Sequence, residues 1–133
     1  MKYSDLTRRY FDATPAVGEF SRDGSAMGRV YRGGAGQPER GTWVQFDIRV
    51  QSGRVVDARF LAFGCPHTIA AASWVAEQAA GSALRAALPE PVHALRERFD
   101  VPQEKLGRLL TLEDAWLAAT RAAIDSIDHD PIS

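Results

Sequence analysis

From Trp43 to Val50, apolar and polar residues alternate. Val44, Phe46, Ile48 and Val50 fall on one side, and Gln45, Asp47, Arg49 and Gln51 on the other. A period of two marks a half-buried strand. Ser52-Gly53 follows as a tight turn. Val55 to Phe63 predicts the returning strand, with Val56, Ala58, Phe60 and Ala62 on its buried face. These strands form the clearest hairpin in the sequence. A shorter strand is predicted from Ala26 to Arg32, where alternation is partial. The stretch Gly33 to Gly41 reads as a glycine-rich loop. It lacks the Gly-Lys-Ser/Thr ending of a phosphate loop.

Helical spacing takes over on either side. Ser4 caps a first helix reaching about Asp12, with Asp5 in its first turn and Leu6 and Tyr10 on one face. Thr14-Pro15 ends it. Val17 to Phe20 is extended, and Ser21-Arg22-Asp23-Gly24 is a turn. A helix runs from Pro66 to about Ala80, with an apolar stripe of Ile69, Ala72, Val75, Ala76 and Ala79, stopped by Gly81. Ser82 to Leu88 is expected to add a helical turn before Pro89 and Pro91. Val92, Leu95 and Phe99 give a short helix its buried face, with His93 on the polar side, and Asp100-Val101-Pro102 breaks it. Leu109, Leu112, Ala115, Trp116, Ala119 and Ala123 line a last helix that starts at either Leu106 or Thr111. The tail from about Asp128 is expected to fray. Strands grouped ahead of helices predict an α+β fold, with a small antiparallel sheet of about three strands packed against several helices.

Composition narrows the function. The 133 residues, with a net charge of −1, form one ordinary domain with no phosphate-seeking surface, which argues against nucleic acid. No apolar run approaches the roughly 20 residues that span a bilayer. The N-terminus lacks the apolar core of a signal peptide, so a cytoplasmic location is expected. Cys65 is the single cysteine, which excludes an internal disulfide and fits a reducing compartment. It lies where a strand hands over to a helix N-terminus, with Pro66 suited to the first helical position. Free N–H groups at that end favour a thiolate, so Cys65 is a candidate nucleophile or ligand, while a buried inert thiol is the alternative. His67 is a weaker candidate for a second ligand. Asp128, His129 and Asp130 read as a solvated tail, and Glu113-Asp114 as a solvated helix face. No Cys-x-x-Cys, His-Glu-x-x-His or Gly-x-Ser-x-Gly motif is present, and no enzymatic reaction follows.

Several short motifs occur in a telling order: Tyr3-Ser4; Val17-Gly18-Glu19-Phe20; Asp57-Ala58-Arg59-Phe60 with Phe63-Gly64-Cys65 and Ile69-Ala70; and Glu113-Asp114-Ala115. Together they resemble the NifU N-terminal domain and IscU-like family of iron–sulfur cluster assembly scaffolds over nearly the whole chain, as a single domain 1–133. The resemblance implies a small antiparallel sheet covered by helices. It also implies a non-enzymatic scaffold that assembles a cluster on three cysteines, aided by an aspartate and sometimes a histidine. Cys65 corresponds to the central cysteine. Arg40 stands for the first cysteine and Thr42 for the aspartate, within Pro38-Glu39-Arg40-Gly41-Thr42. Gly107 and Arg108 stand for the histidine and the last cysteine.

Guanidinium groups do not coordinate iron. Arg40 and Arg108 are therefore expected to flank Cys65, lower its pKa and repel a cation, which weighs against a complete iron–sulfur cluster or an iron or zinc ion. The chaperone-recognition segment corresponds to the loop carrying Val101, Pro102 and Lys105, altered enough to argue against chaperone binding. Docking to a cysteine desulfurase or another assembly protein stays open, as does a homodimer. The implied function is a divergent assembly scaffold with Cys65 as sulfur acceptor or single metal ligand. The rival is a regulatory paralogue that docks on assembly partners without a cluster.

Overall fold

The computed structural model describes residues 4–14, 16–20 and 28–129, the last two by their backbone only. The turn expected at Ser21–Gly24 lies outside them, as do residues 130–133. Helix α1 spans Asp5–Asp12. The Ser4 side chain accepts a hydrogen bond from the Thr7 N–H, and Ala13 leaves the helix in an extended conformation. Strands β1 (Arg29–Gln37), β2 (Thr42–Gln51) and β3 (Arg54–Phe63) form an antiparallel sheet in the order β1-β2-β3. Helices α2 (Pro66–Ala79), α3 (Val92–Arg98) and α4 (Leu106–His129) follow. This is the expected α+β arrangement. Helix α4 lies across β1 and β2, α2 packs on β3, and α1 packs on α2.

The buried face of β2 is the expected one: Val44, Phe46 and Ile48 are fully inaccessible and Val50 nearly so. Phe46 meets Trp116 of α4 edge to face, with ring centroids 5.1 Å apart. All six residues expected on the inner face of α4 are buried. That helix begins at Leu106, after a 3-10 turn over Gln103–Lys105. Thr111 is therefore inside it, and its hydroxyl donates to the Gly107 carbonyl. The helix also continues through 128 and 129, where fraying was expected.

Four further expectations are corrected. Val56 is 40% exposed and Val55 is buried in its place. Arg49 pairs with Asp57 but Val50 with Val55, so a β-bulge at this point shifts the facing of β3 by one residue. The stretch Gly33 to Gln37 is strand, not loop, and only Pro38–Arg40 leaves the ladder, as a 3-10 turn. Ser82 to Leu88 forms no helix. The Val55 N–H donates to the Ser82 carbonyl, and the Leu84 N–H donates to the Gly53 carbonyl. These backbone groups thus bond the end of the hairpin rather than each other. Helix α2 is buried on nearly every side rather than along one stripe, because β3 and α1 enclose it.

Asp47, on the polar side of β2, is 1% exposed. Arg32 grips its carboxylate at 2.6 and 2.7 Å, and the Phe20 N–H donates to it at 2.9 Å. The Phe20 ring lies between the guanidiniums of Arg49 and Arg59, each 4.8 Å from its centroid. The segment at 16–20 is thereby strapped over the outer sheet face. Its backbone also pairs with Phe60 on the edge of β3.

The glycines of β1 have a packing cause. A Cβ on Gly33 would lie 2.1 Å from the Ala119 backbone nitrogen of α4, closer than any real contact. Gly33→Ala should therefore force the helix off the strand and cost about 1–3 kcal/mol by overpacking. Thermal unfolding checks this: a midpoint several degrees lower is expected, whereas an unchanged midpoint would show that α4 yields freely.

Candidate functional site

Cys65 is the N-cap of α2, with extended angles (φ −76°, ψ 165°) and Pro66 following at the first helical position. Its carbonyl accepts from the N–H groups of Thr68 and Ile69. The side chain is half-buried and the thiol is free. Thr68 Oγ1 is 3.5 Å from Sγ and His67 Nδ1 is 4.0 Å away. Residues two apart on a helix face different ways, but Cys65 is the cap and not yet helical, so its side chain folds back towards both.

Three effects act on the thiol. Burial pushes its pKa up. Hydrogen bonds from the Thr68 side chain and N–H push it down, and Arg108 adds a hydrogen bond and its charge. The donors outweigh burial, and the pKa lies below the ordinary thiol value. His67 is 3% exposed. Burial lowers its pKa, and the charges of Lys105 and Arg108 lower it further against a smaller opposing effect of Asp100. The imidazole beside the thiol is therefore neutral at pH 7.

The four positions singled out by resemblance come together. Arg40, Thr42, Gly107 and Arg108 all line one cavity of about 460 Å3, completed by Gly36, Gln37, Glu104 and Thr111. Arg40 is held by the 3-10 turn after β1, Thr42 opens β2, and Gly107 and Arg108 open α4. Arg108 belongs to both places, since it lines the cavity and hydrogen-bonds the thiol. Arg40 lines the cavity but is not among the groups that shift Cys65. The two arginines thus flank the cavity, and one of them alone lowers the thiol pKa. Thr68, which no motif marks, belongs to the site; its place three residues after the cap is the signal for it.

The loop named for partner binding divides. Val101 is 4% exposed and packs in the core, whereas Pro102 and Lys105 are partly exposed. His93 is exposed, as its helix face requires. Among the described residues, no group of three or more His, Cys, Asp or Glu side chains is placed to hold a metal ion. Clusters are normally held by several thiolates, and here two of the positions carry guanidiniums. The donor set of this chain alone does not fit a cluster.

The pKa of Cys65 can be read from alkylation by iodoacetamide as a function of pH. The inflection should fall below the ordinary thiol range, because the thiolate is the reacting form. Arg108→Ala and Thr68→Val should each move it upward. A wild-type inflection at or above the ordinary range would contradict the hydrogen-bonded thiolate.

The chain matches the family model described as the NifU-like N terminal domain over residues 2–123. It is 30% identical over 120 residues to the iron–sulfur cluster assembly scaffold protein IscU of Escherichia coli K12, covering 90% of this chain and 91% of the relative. It is 31% identical over 121 residues to iron–sulfur cluster assembly protein 1 of Arabidopsis thaliana, covering 90% and 71%. Its fold superimposes on the N-terminal part of a nitrogen-fixing NifU-like protein from Brucella abortus with a TM-score of 0.66. That alignment has 15% identity and covers 96% of this chain and 95% of the other. With the family model spanning nearly all of its length, this chain belongs to the NifU-like N-terminal domain family.

Proposed function

We propose that this protein works in iron–sulfur cluster assembly as a scaffold-type member of its family in which sulfur handling is retained and autonomous cluster holding is not. The observation that carries this is the free, half-buried Cys65 thiol at the N-cap position of α2, with Thr68 Oγ1 3.5 Å from its sulfur. A sulfur acceptor needs one nucleophilic thiolate, whereas a cluster needs several.

The step is a thiol–persulfide exchange. The Cys65 thiolate attacks the outer sulfur of a donor persulfide, of the kind a cysteine desulfurase carries. The donor's S–S bond breaks, and the donor sulfur leaves as a thiolate with the bonding pair. Cys65 then holds the persulfide, and no external oxidant or reductant is consumed. Thr68 and Arg108 stabilise the attacking thiolate and afterwards the terminal persulfide anion. His67, neutral and buried, fills the wall beside the sulfur and adds no charge.

A metal bond through Cys65 would require further ligands from a second subunit, a partner or an external thiol. Docking to assembly partners is expected to involve exposed surface near Pro102 and Lys105 rather than Val101. Among the described residues, no helix is long and apolar enough to cross a membrane. A free cysteine suits a reducing compartment such as the cytoplasm.

Two measurements test this reading. Anaerobic incubation with a cysteine desulfurase and cysteine should add the mass of one sulfur atom to the protein, mapped to Cys65 and absent from Cys65→Ser. An unmodified thiol, under conditions that load an E. coli IscU control, would remove the acceptor role. Reconstitution with iron and sulfide should leave no stable visible absorbance in the isolated chain. Retention of a cluster that Cys65→Ser abolishes would restore the autonomous scaffold.

A further inference from the structure

The cavity beside Cys65 has a chemistry of its own. Arg40 and Arg108 line it, with the hydroxyl-bearing Thr42 and Thr111 and the amide of Gln37, against a single carboxylate, Glu104. Four other arginines are held by partners. Arg32 and Arg98 pair with carboxylates, and Arg49 and Arg59 stack on Phe20. Among the described residues, Arg40 has no recorded ion pair or hydrogen bond, and it is exposed. Arg108 lines the same cavity and, among the described residues, is in none of the ion pairs to carboxylates, so its fork is available to a ligand. Two planar guanidinium forks facing one cavity match the oxygens of a small oxyanion, and the Thr42 hydroxyl and Gln37 amide are neighbouring donors, the Thr111 hydroxyl being committed to the Gly107 carbonyl.

We propose that the cavity between Arg40 and Arg108 is an oxyanion site, and that its substrates are small oxyanions carrying a transferable sulfur, of which thiosulfate is the simplest. The inference rests on the reading of Cys65 as a sulfur acceptor and names a donor class for it. The pairing of Trp43 with Phe63 is the link, because it brings Gly64, the neighbour of Cys65, against Gly41 between Arg40 and Thr42, where a Cβ on Gly64 would lie 3.5 Å from the Gly41 carbonyl oxygen. An anion bridged between the two arginines has one end beside Cys65. There the thiolate attacks the outer sulfur of thiosulfate. The S–S bond breaks, sulfite leaves with the bonding pair, and Cys65 carries the persulfide. Atoms and electrons balance with no further reactant. The arginines hold the three oxygens, on which the leaving sulfite's charge develops, in both the bound and the departing anion.

The test uses the full chain, reduced and desalted. Thiosulfate should release sulfite and add one sulfur atom to Cys65, and sulfate should compete. Arg40→Ala, at an exposed position whose loss leaves the core intact, should weaken sulfate and thiosulfate binding at least about tenfold and slow transfer in parallel. Arg108→Ala should do the same, while Arg40→Lys should restore part of the binding. Cys65→Ser should keep sulfate binding and lose transfer. A wild type that takes sulfur from a desulfurase but binds neither sulfate nor thiosulfate at millimolar concentration overturns this proposal and leaves the acceptor reading standing. A wild type that binds thiosulfate but gains no sulfur on Cys65 from either donor overturns the acceptor reading and, with it, the transfer. Binding that is unchanged in both Arg40→Ala and Arg108→Ala refutes the site.

Discussion

The site depends on how closely α4 lies on β1. Gly33 has no side chain, and the backbone of α4 at Ala118 and Ala119 occupies the space one would need. Three residues along the strand the notch repeats. A Cβ on Gly36 would lie 2.8 Å from Thr111 Cγ2 and 2.3 Å from the Thr42 carbonyl oxygen. Eight residues of helix rise about 12 Å, and three residues of strand about 10 Å, so the two notches hold helix and strand together over a matching length. That docking fixes the N-terminal turn of α4 beside the junction of β1 and β2. Gly107 and Arg108 reach the cavity for this reason, and the Arg108 charge acts on the Cys65 thiol at the start of α2.

What the sequence made legible follows the range of each interaction. The alternation in β2 is local and survives intact, because one face meets helices and the other does not. The cap at Cys65 is local too, and Pro66 marks it. The bulge that exposes Val56 is a property of pairing between β2 and β3, and neither strand carries it alone. Glycines in a row signal a loop by composition, yet in β1 they answer to a helix some eighty residues later in the chain. Asp47 looks like a surface residue in its own strand. It is buried because the segment around Phe20 folds over it and Arg32 neutralises it. At the site, family likeness gathered Arg40, Thr42, Gly107 and Arg108, while Thr68 and the closeness of His67 came from the geometry of the cap.

Electrostatics then decides what the constellation can do. Two of the positions that likeness assigns to thiolates bear guanidiniums, so two cations and one carboxylate line the cavity, with one thiol and one neutral imidazole close to each other nearby. A divalent or trivalent metal ion there would meet repulsion from Arg40 and Arg108 and find one soft anionic ligand. An anion would meet attraction from both. The cavity that these positions line therefore favours an anion over a metal ion.

The proposed sulfur transfer is compatible with such a charge. Metal binding is cooperative in ligands: losing two leaves a site that one thiol does not complete. Nucleophilic attack on sulfur is not cooperative in thiols. It requires one thiolate, donors that keep it ionised without quenching it, and a place for the leaving group. Thr68 and Arg108 supply the donors, and the α2 N-terminus adds the positive end of its dipole. The leaving group is anionic in every version of the step, whether thiolate or sulfite. The guanidiniums that would repel a metal are thus suited to receive it, which is why the proposed role keeps the sulfur-accepting half of a scaffold's work.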